Sequence, residues 1–259
     1  MADKSTIIFY FSGTGNTYHA AQSLSCLLKE AQFVRIVFGL ETYNLASYER
    51  IIAVYPCYVG DLPLMVKDYL EHLDFPDGAQ AVSVCCCGGI DGSCHKSFER
   101  ILDKKGSSLY SSYTLVYPAN NQLLYPEPSE KTIDTRYATN AQKLQEIASN
   151  LKDGYQHFAD YKVLSASIFS LAHKFFDPHK QGRRFKVSDA CNSCKICELI
   201  CPAKNIRLIK GIPQFLDRCE QCLSCMHRCL KDAIYLNLQS RIWGRYKNPY
   251  VSTKDLMVN

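Results

Sequence analysis

The sequence predicts an α/β fold: a doubly wound, five-stranded parallel sheet followed by a small α+β unit built around cysteines. Three observations predict it. Apolar runs alternate with stretches of helical spacing through the first 150 or so residues, a glycine loop follows the first apolar run, and a cysteine-rich segment near the end is repeated once.

The apolar runs TIIFYFS (6–12), QFVRIVF (32–38), RIIAVYP (50–56), AVSVCCC (81–87) and YTLVYP (113–118) read as strands buried on both faces. Between and after them, 16–30, 62–73, 93–105 and 132–152 carry helical spacing. Strand–helix alternation of this kind implies a parallel sheet with helices on both sides, with a ligand site at the carboxyl ends of the strands. Residues 155–176 place Phe158, Tyr161, Leu164, Ile168, Leu171 and Phe175 at helical intervals and predict a bridging helix. A basic patch follows at Lys174, Lys180, Arg183, Arg184 and Lys186, where Pro178 and Gly182 are expected to break that helix. The expected units are 1–153, a bridging helix and basic linker over 154–185, a cysteine-rich domain over 186–240, and a tail over 241–259.

Composition bounds the function. With 47% hydrophobic and 21% charged residues among 259, the chain buries a core. It has no apolar run of about 18 residues, so no membrane span is expected. The N-terminal MADKSTIIFYFSGTG lacks a signal-peptide cleavage site, so the expected location is the cytoplasm. Fourteen cysteines in a reducing compartment point away from a disulfide framework and toward metal. The formal charge of +5 counts thiols as neutral. Eight thiolates around two cluster cores would carry roughly −4, which removes the apparent basicity. No nucleic-acid role is expected, and the 174–186 patch is too short for one.

CNSCKICELICPAKNIRLI (191–209) aligns with CEQCLSCMHRCLKDAIYLN (219–237) at an offset of 28 residues, all four cysteines matching. Three closely spaced thiolates on a turning backbone can cap three corners of an iron–sulfur cubane, and the fourth points to the neighbouring one. Cys191, Cys194, Cys197 and Cys229 are expected to hold one [4Fe–4S] cluster, and Cys219, Cys222, Cys225 and Cys201 the other. Zinc would be better suited by two separated CxxC pairs. Pro202 follows the fourth cysteine of the first repeat, whereas Leu230 stands at the matching place in the second.

SGTGNT (12–17) follows a strand and opens a helix, a context in which glycines, hydroxyls and free helix N–H groups suit a phosphate. GKS or GKT is absent and Tyr18 stands where a third glycine would fall, so neither a Walker loop nor a dinucleotide fingerprint applies. A compact phosphate end, as in FMN, remains, with a purely structural turn as the alternative. The candidate FMN residues are Ser12, Gly13, Thr14, Gly15, Asn16 and Thr17 for the phosphate, Tyr58 for stacking, and Gly60, Gly88 and Gly89 for close backbone approach. Asn120 and Tyr125 are candidate walls. Cys85, Cys86 and Cys87 read as strand packing; Cys57 and Cys94 lie in the same loops as the candidate cofactor residues. His95 is either a proton donor or a solvated residue at a helix start, and His19 packs.

With SGTGNT and the two cysteine repeats, the chain resembles the bacterial flavodoxin–ferredoxin fusion proteins, and its GRYKNPY (244–250) resembles their RY-x-NP ending. The resemblance implies a flavodoxin-like sheet binding FMN and a bacterial-type 2[4Fe–4S] ferredoxin domain. It departs from flavodoxins in lacking a tryptophan near the flavin loops, since Trp243 lies in the tail. The expected function is electron transfer between the clusters and FMN, as a low-potential carrier in anaerobic metabolism serving a redox partner protein or a small electron acceptor. The alternatives are an FMN-dependent reductase of a quinone or nitro compound and a non-catalytic redox sensor.

Overall fold

The structure, a computed structural model, describes residues 5–29, 31–160 and 176–258. Five strands, β1 (Thr6–Tyr10), β2 (Gln32–Arg35), β3 (Arg50–Pro56), β4 (Gln80–Cys87) and β5 (Leu109–Val116), form one sheet in the order β2-β1-β3-β4-β5. Every pair is parallel. Helices α1 (Asn16–Leu27) and α4 (Glu130–Asp153) cover one face, and α2 (Leu64–Glu71) and α3 (Cys94–Lys104) the other.

The two cores follow from the period of two along each strand. Ile8, Tyr10, Ile52, Val54, Val82 and Val84 meet α1 and α4, while Ile7, Phe9, Ile51, Ala53, Ala81 and Cys85 meet α2 and α3. Continuous apolar runs are what such a sheet needs, because neither side of a central strand sees water.

Two expected elements differ. The run 32–38 stops as a strand at Arg35; Gly39 has φ 78°, and Phe38 donates its N–H to the Pro202 carbonyl at 2.8 Å. The strand end is drawn off the sheet toward the cysteine-rich segment, where the Arg218 guanidinium lies 4.3 Å from the Phe38 ring centre. The expected helix from 155 does not begin by 160. Gly154 ends α4 with φ 78°, and the chain then runs beside β5, the sheet's edge strand. There Ser112 donates to the His157 carbonyl and accepts from the Ala159 N–H at 2.8 and 3.0 Å. An edge strand has unpaired backbone groups, and this segment satisfies them. The rest of that expected helix, with Tyr161, Leu164, Ile168, Leu171, Phe175 and also Lys174, lies outside the described residues.

The cysteine-rich segment has an antiparallel hairpin, β7 (Ile206–Ile209) and β8 (Ile212–Phe215), and a short pair, β6 (Lys186–Val187) with β9 (Ile234–Tyr235). The internal repeat is carried by the backbone itself. Ser193, Lys195 and Lys204 have φ of 58, 64 and 45°, and Gln221, Leu223 and Asp232, each 28 residues on, have φ of 50, 60 and 47°. A left-handed residue other than glycine costs about 1–2 kcal/mol. Three such costs, repeated in register, mark a turn geometry that each half requires.

Pro178 and Gly182 bound a five-residue helix, preceded by the non-helical Phe176 and Asp177. Pro178 occupies its first turn, and Asp177 caps it by accepting the Lys180 N–H at 3.0 Å. Gly182 is buried against Cys219: an added methyl would fall 2.0 Å from the Cys219 Cβ. The tail is also structural. Val251 and Leu256 join the core under α1 and α4, and Arg35 donates to the Leu256 carbonyl at 2.7 Å.

Candidate redox site

The loop from Ser12 to Thr17 leaves β1 at the carboxyl edge of the sheet and enters α1. Gly15, at φ 111°, makes the turn, and its N–H donates to Ser12 Oγ at 3.2 Å. The N–H groups of Gly13, Thr14, Asn16 and Thr17 find no acceptor among the described residues, as expected of a helix start that faces a ligand. Ser12, Gly13, Thr14, Asn16 and Thr17 line a 60 Å³ cavity. Its far walls come from Tyr58 after β3, Gly88 after β4, Asn120 after β5, and Cys222 of the second cysteine repeat.

The loop is held from outside by the tail. Asn16 Oδ1 accepts from Tyr246 Oη at 2.6 Å, Tyr137 Oη at 3.1 Å and Asn248 Nδ2 at 3.2 Å. Tyr246 and Asn248 are the tyrosine and asparagine of the tail motif read in GRYKNPY. A buried and a half-buried arginine add positive charge: Arg228 donates to the Thr14 and Val251 carbonyls, and Arg35 to the Ser12 carbonyl at 3.1 Å. Neither has a carboxylate partner within ion-pair reach among the described residues. Sequence reasoning missed both, because nothing in their local sequence says that they fold onto this loop.

The remaining candidates separate. Tyr58 is half-buried and edge-on to Phe11, with burial raising its phenol well above the ordinary range. Gly88 lines the cavity, whereas Gly89 is exposed beside it. Gly60 serves another purpose, bringing its carbonyl so close to Gly92 that a Cβ there would stand 2.1 Å away. Asn120 Nδ2 donates to Thr14 Oγ1 at 2.5 Å; Tyr125 is exposed. His95 is neither solvated nor at this cavity. It bonds Ser83 Oγ at 2.6 Å and Thr114 Oγ1 at 3.0 Å, and burial lowers its pKa to about 4. His19 packs against Tyr117, Tyr137 and Tyr250.

The eight repeat cysteines gather in two sets of four. Cys191, Cys194, Cys197 and Cys229 line one small cavity with Leu208, Pro213 and Ile234. Cys201, Cys219, Cys222 and Cys225 line another with Phe185, Ile206 and Phe215. In each set the fourth cysteine of one repeat joins the first three of the other. Backbone N–H groups point at the sulfurs in register: Asn205 to Cys201 and Ala233 to Cys229, both 3.3 Å. Burial pushes the Cys197 and Cys219 thiols up to about 12, and holds Cys225 well above the ordinary thiol range. Among the described residues no three His, Cys, Asp or Glu side chains are grouped as ligands of a single metal ion. The two sets differ in setting: Cys194 is exposed, whereas Cys222 is packed against Gly13, whose missing Cβ would be 2.5 Å from the Cys222 carbonyl.

No family profile matches the chain, and no curated protein matches it. Among solved structures, the chain is similar to the Fusobacterium nucleatum flavodoxin bound to flavin mononucleotide, at 17% identity and a TM-score of 0.40, over 59% of this chain and 99% of that one. A Streptococcus pneumonia TIGR4 flavodoxin aligns at 19% identity and a TM-score of 0.37, over 55% and 98%. A Lactobacillus acidophilus flavoprotein in complex with FMN aligns at 15% and 0.37, over 43% and 93%. The fold itself rests on strand order: an all-parallel β2-β1-β3-β4-β5 sheet with helices on both faces is the flavodoxin-like arrangement.

Proposed function

We propose that the chain is an iron–sulfur flavoprotein that passes electrons between two [4Fe–4S] clusters and an FMN. Cys191, Cys194, Cys197 and Cys229 would hold one cluster, Cys201, Cys219, Cys222 and Cys225 the other, and the Ser12–Thr17 loop the phosphate. The observation that carries the reading is the contact between Gly13 and Cys222, where the phosphate loop meets a ligand of the second set. When bound, the flavin supplies exchange between one- and two-electron steps and each cluster a one-electron step.

The chain's own residues fit these groups unequally. Four unpartnered amides and the Ser12, Thr14 and Thr17 hydroxyls fit a phosphate, and a 60 Å³ cavity is of that scale. Sites for whole cofactors run to roughly 300–1,000 Å³, so the ring needs the Cys222 and Tyr58 walls to stand back. Arg35 and Arg228 both donate to carbonyls of the phosphate loop, and Arg35 also lies near Cys201 and Cys222, so their charge would offset that of groups bound there. The four-cysteine cavities are apolar except for their thiols and N–H···S donors, and that donor set suits a cubane whose thiolates stand apart. The burial that raises the thiols favours neutral sulfur, so bound iron would have to displace the protons.

A carrier is favoured over a small-molecule reductase by His95, the candidate proton donor, which is bonded to Ser83 and Thr114 away from the cavity. In this reading residues 1–153 carry the flavin, 186–240 the clusters, and 241–259 strap the two together. The test is anaerobic purification with iron, sulfide and flavin assayed on one sample. About eight irons, eight sulfides and one FMN per chain are expected. Iron without flavin removes the FMN half of the reading, and fewer than about four irons removes the clusters.

A further inference from the structure

Outside the two four-cysteine sets, the chain gathers a third group of thiols on the α2–α3 face of the sheet. Cys57 follows β3, Cys85 lies within β4, and Cys94 is the first residue of α3. All three are free thiols packed in or against one core. The Cys57 thiol donates to the Asp91 carbonyl at 3.5 Å, and the same carbonyl accepts the Cys94 N–H at 3.2 Å. The Cys57 side chain packs against the same part of the core as Cys85 and Cys94. Cys57 lines the mouth of the phosphate-loop cavity and is half-buried, beside exposed Val59 and Ile90; Cys85 and Cys94 are wholly buried.

A clamp holds the two loops together. Ser93 donates both its N–H, at 2.7 Å, and its hydroxyl, at 3.0 Å, to the Gly60 carbonyl. Gly92, at φ 59°, lets the two backbones touch, since a Cβ would stand 2.1 Å from that same carbonyl. The clamp keeps the Cys57 loop against the residues that lead into α3, so that the Cys57 thiol and the Cys94 N–H meet at one carbonyl, that of Asp91.

We propose that Cys57 and Cys94 form a reversible dithiol–disulfide couple, a redox site separate from the cluster cysteines, that exchanges with small disulfides. The Cys57 thiolate attacks one sulfur of the small disulfide, forming a mixed disulfide and releasing one small thiol. Cys94 then attacks the Cys57 sulfur, closing the Cys57–Cys94 bond and releasing the second small thiol. Two protein thiols are oxidised, one disulfide is reduced, and their two protons end on the two departing thiols. Cys94 is the resolving residue because Cys85 is fixed in a central strand, paired with Tyr55 on one side and Thr114 on the other. Its partner opposite Cys57 would lie diagonally across that ladder, a poor disposition for a disulfide. Cys94 is the first residue of α3 and is not held in a sheet ladder.

The test uses the full chain, purified anaerobically and equilibrated with mixtures of reduced and oxidised glutathione. Free thiols are then alkylated and the chain is digested with trypsin and Asp-N protease. Cutting before Asp61 and Asp91 puts Cys57 in the peptide 51–60, Cys94 in 91–96, and Cys85 with its neighbours in 77–90. A disulfide-linked 51–60/91–96 pair is expected, rising with the oxidised fraction and lost when glutathione is reduced. In Cys85→Ala the same pair is expected; in Cys57→Ser it is absent and Cys94 stays alkylated at every mixture. A link from 51–60 to 77–90, or alkylation of both Cys57 and Cys94 at every mixture, overturns the proposal. The wild-type map decides the matter even if a variant fails to fold.

Discussion

Gly182→Ala isolates the contact between the short helix Pro178–Gly182 and the second cysteine set. The residue's backbone is not left-handed, so the added methyl acts through packing alone. It would stand 2.0 Å from the Cys219 Cβ and 2.8 Å from its Sγ. Real Cβ contacts do not come under 3.0 Å, so the two parts must separate by at least roughly 1 Å. Overpacking of this kind costs about 1–3 kcal/mol. Replacing glycine inside a helix returns up to about 1 kcal/mol, so the net loss of stability is small. The geometric effect is the larger one, because metal–ligand distances tolerate only about 0.2 Å. In the proposed reading, Cys219 is therefore expected to leave the second cluster, while the Cys191, Cys194, Cys197 and Cys229 set, which Gly182 does not touch, keeps its own. Iron and sulfide are expected to fall from about eight to about four per chain, with a Tm within a few degrees of wild type. An unchanged iron content and an unchanged reduced-state EPR spectrum would refute the reasoning: the five-residue helix, not Cys219, would then be the part that yields.

Two further outcomes follow from the site. Asn16→Ala removes the acceptor shared by Tyr137, Tyr246 and Asn248 and the donor to the Pro118 carbonyl at 3.4 Å. Without Asn16 one phenol can turn its proton to the other, 3.0 Å away, so the expected cost is about 2–4 kcal/mol, read as a lower urea midpoint at unchanged m. A midpoint shift under a few tenths of a molar would show that the tail does not depend on this residue. His95 gives a pH signature: its folded pKa, lowered to about 4 by burial against the opposing pull of Asp91, lies below the unfolded value of 6.5. Between those values only the unfolded chain takes up the proton, so this contribution is complete above pH 6.5 and is lost as pH falls to 4, about 3 kcal/mol in all. His95→Gln is expected to flatten the stability–pH curve over that window; equal slopes in the two proteins would contradict it.

The sequence by itself determined the parts that repeat locally. Apolar runs with flanking helices dictated the parallel sheet, because a strand buried on both faces has no polar alternation to display. A 28-residue offset dictated twin turns, and those turns appear as left-handed residues at Ser193 and Gln221, Lys195 and Leu223, Lys204 and Asp232. The SGTGNT loop was legible because glycines, hydroxyls and a helix start lie within six residues. Only the tertiary structure decided what lies against that loop. Cys222, Arg35, Arg228, Tyr246 and Asn248 converge on residues 12–16 from distant positions, through contacts that leave no periodic trace in the chain. His95 shows the same limit. A histidine at a helix start reads as solvated, but its place between Ser83 and Thr114 comes from the pairing of β4 with β5. Local pattern sets which elements form and which face they bury; the polar and charged partners of a site are set by how those faces pack.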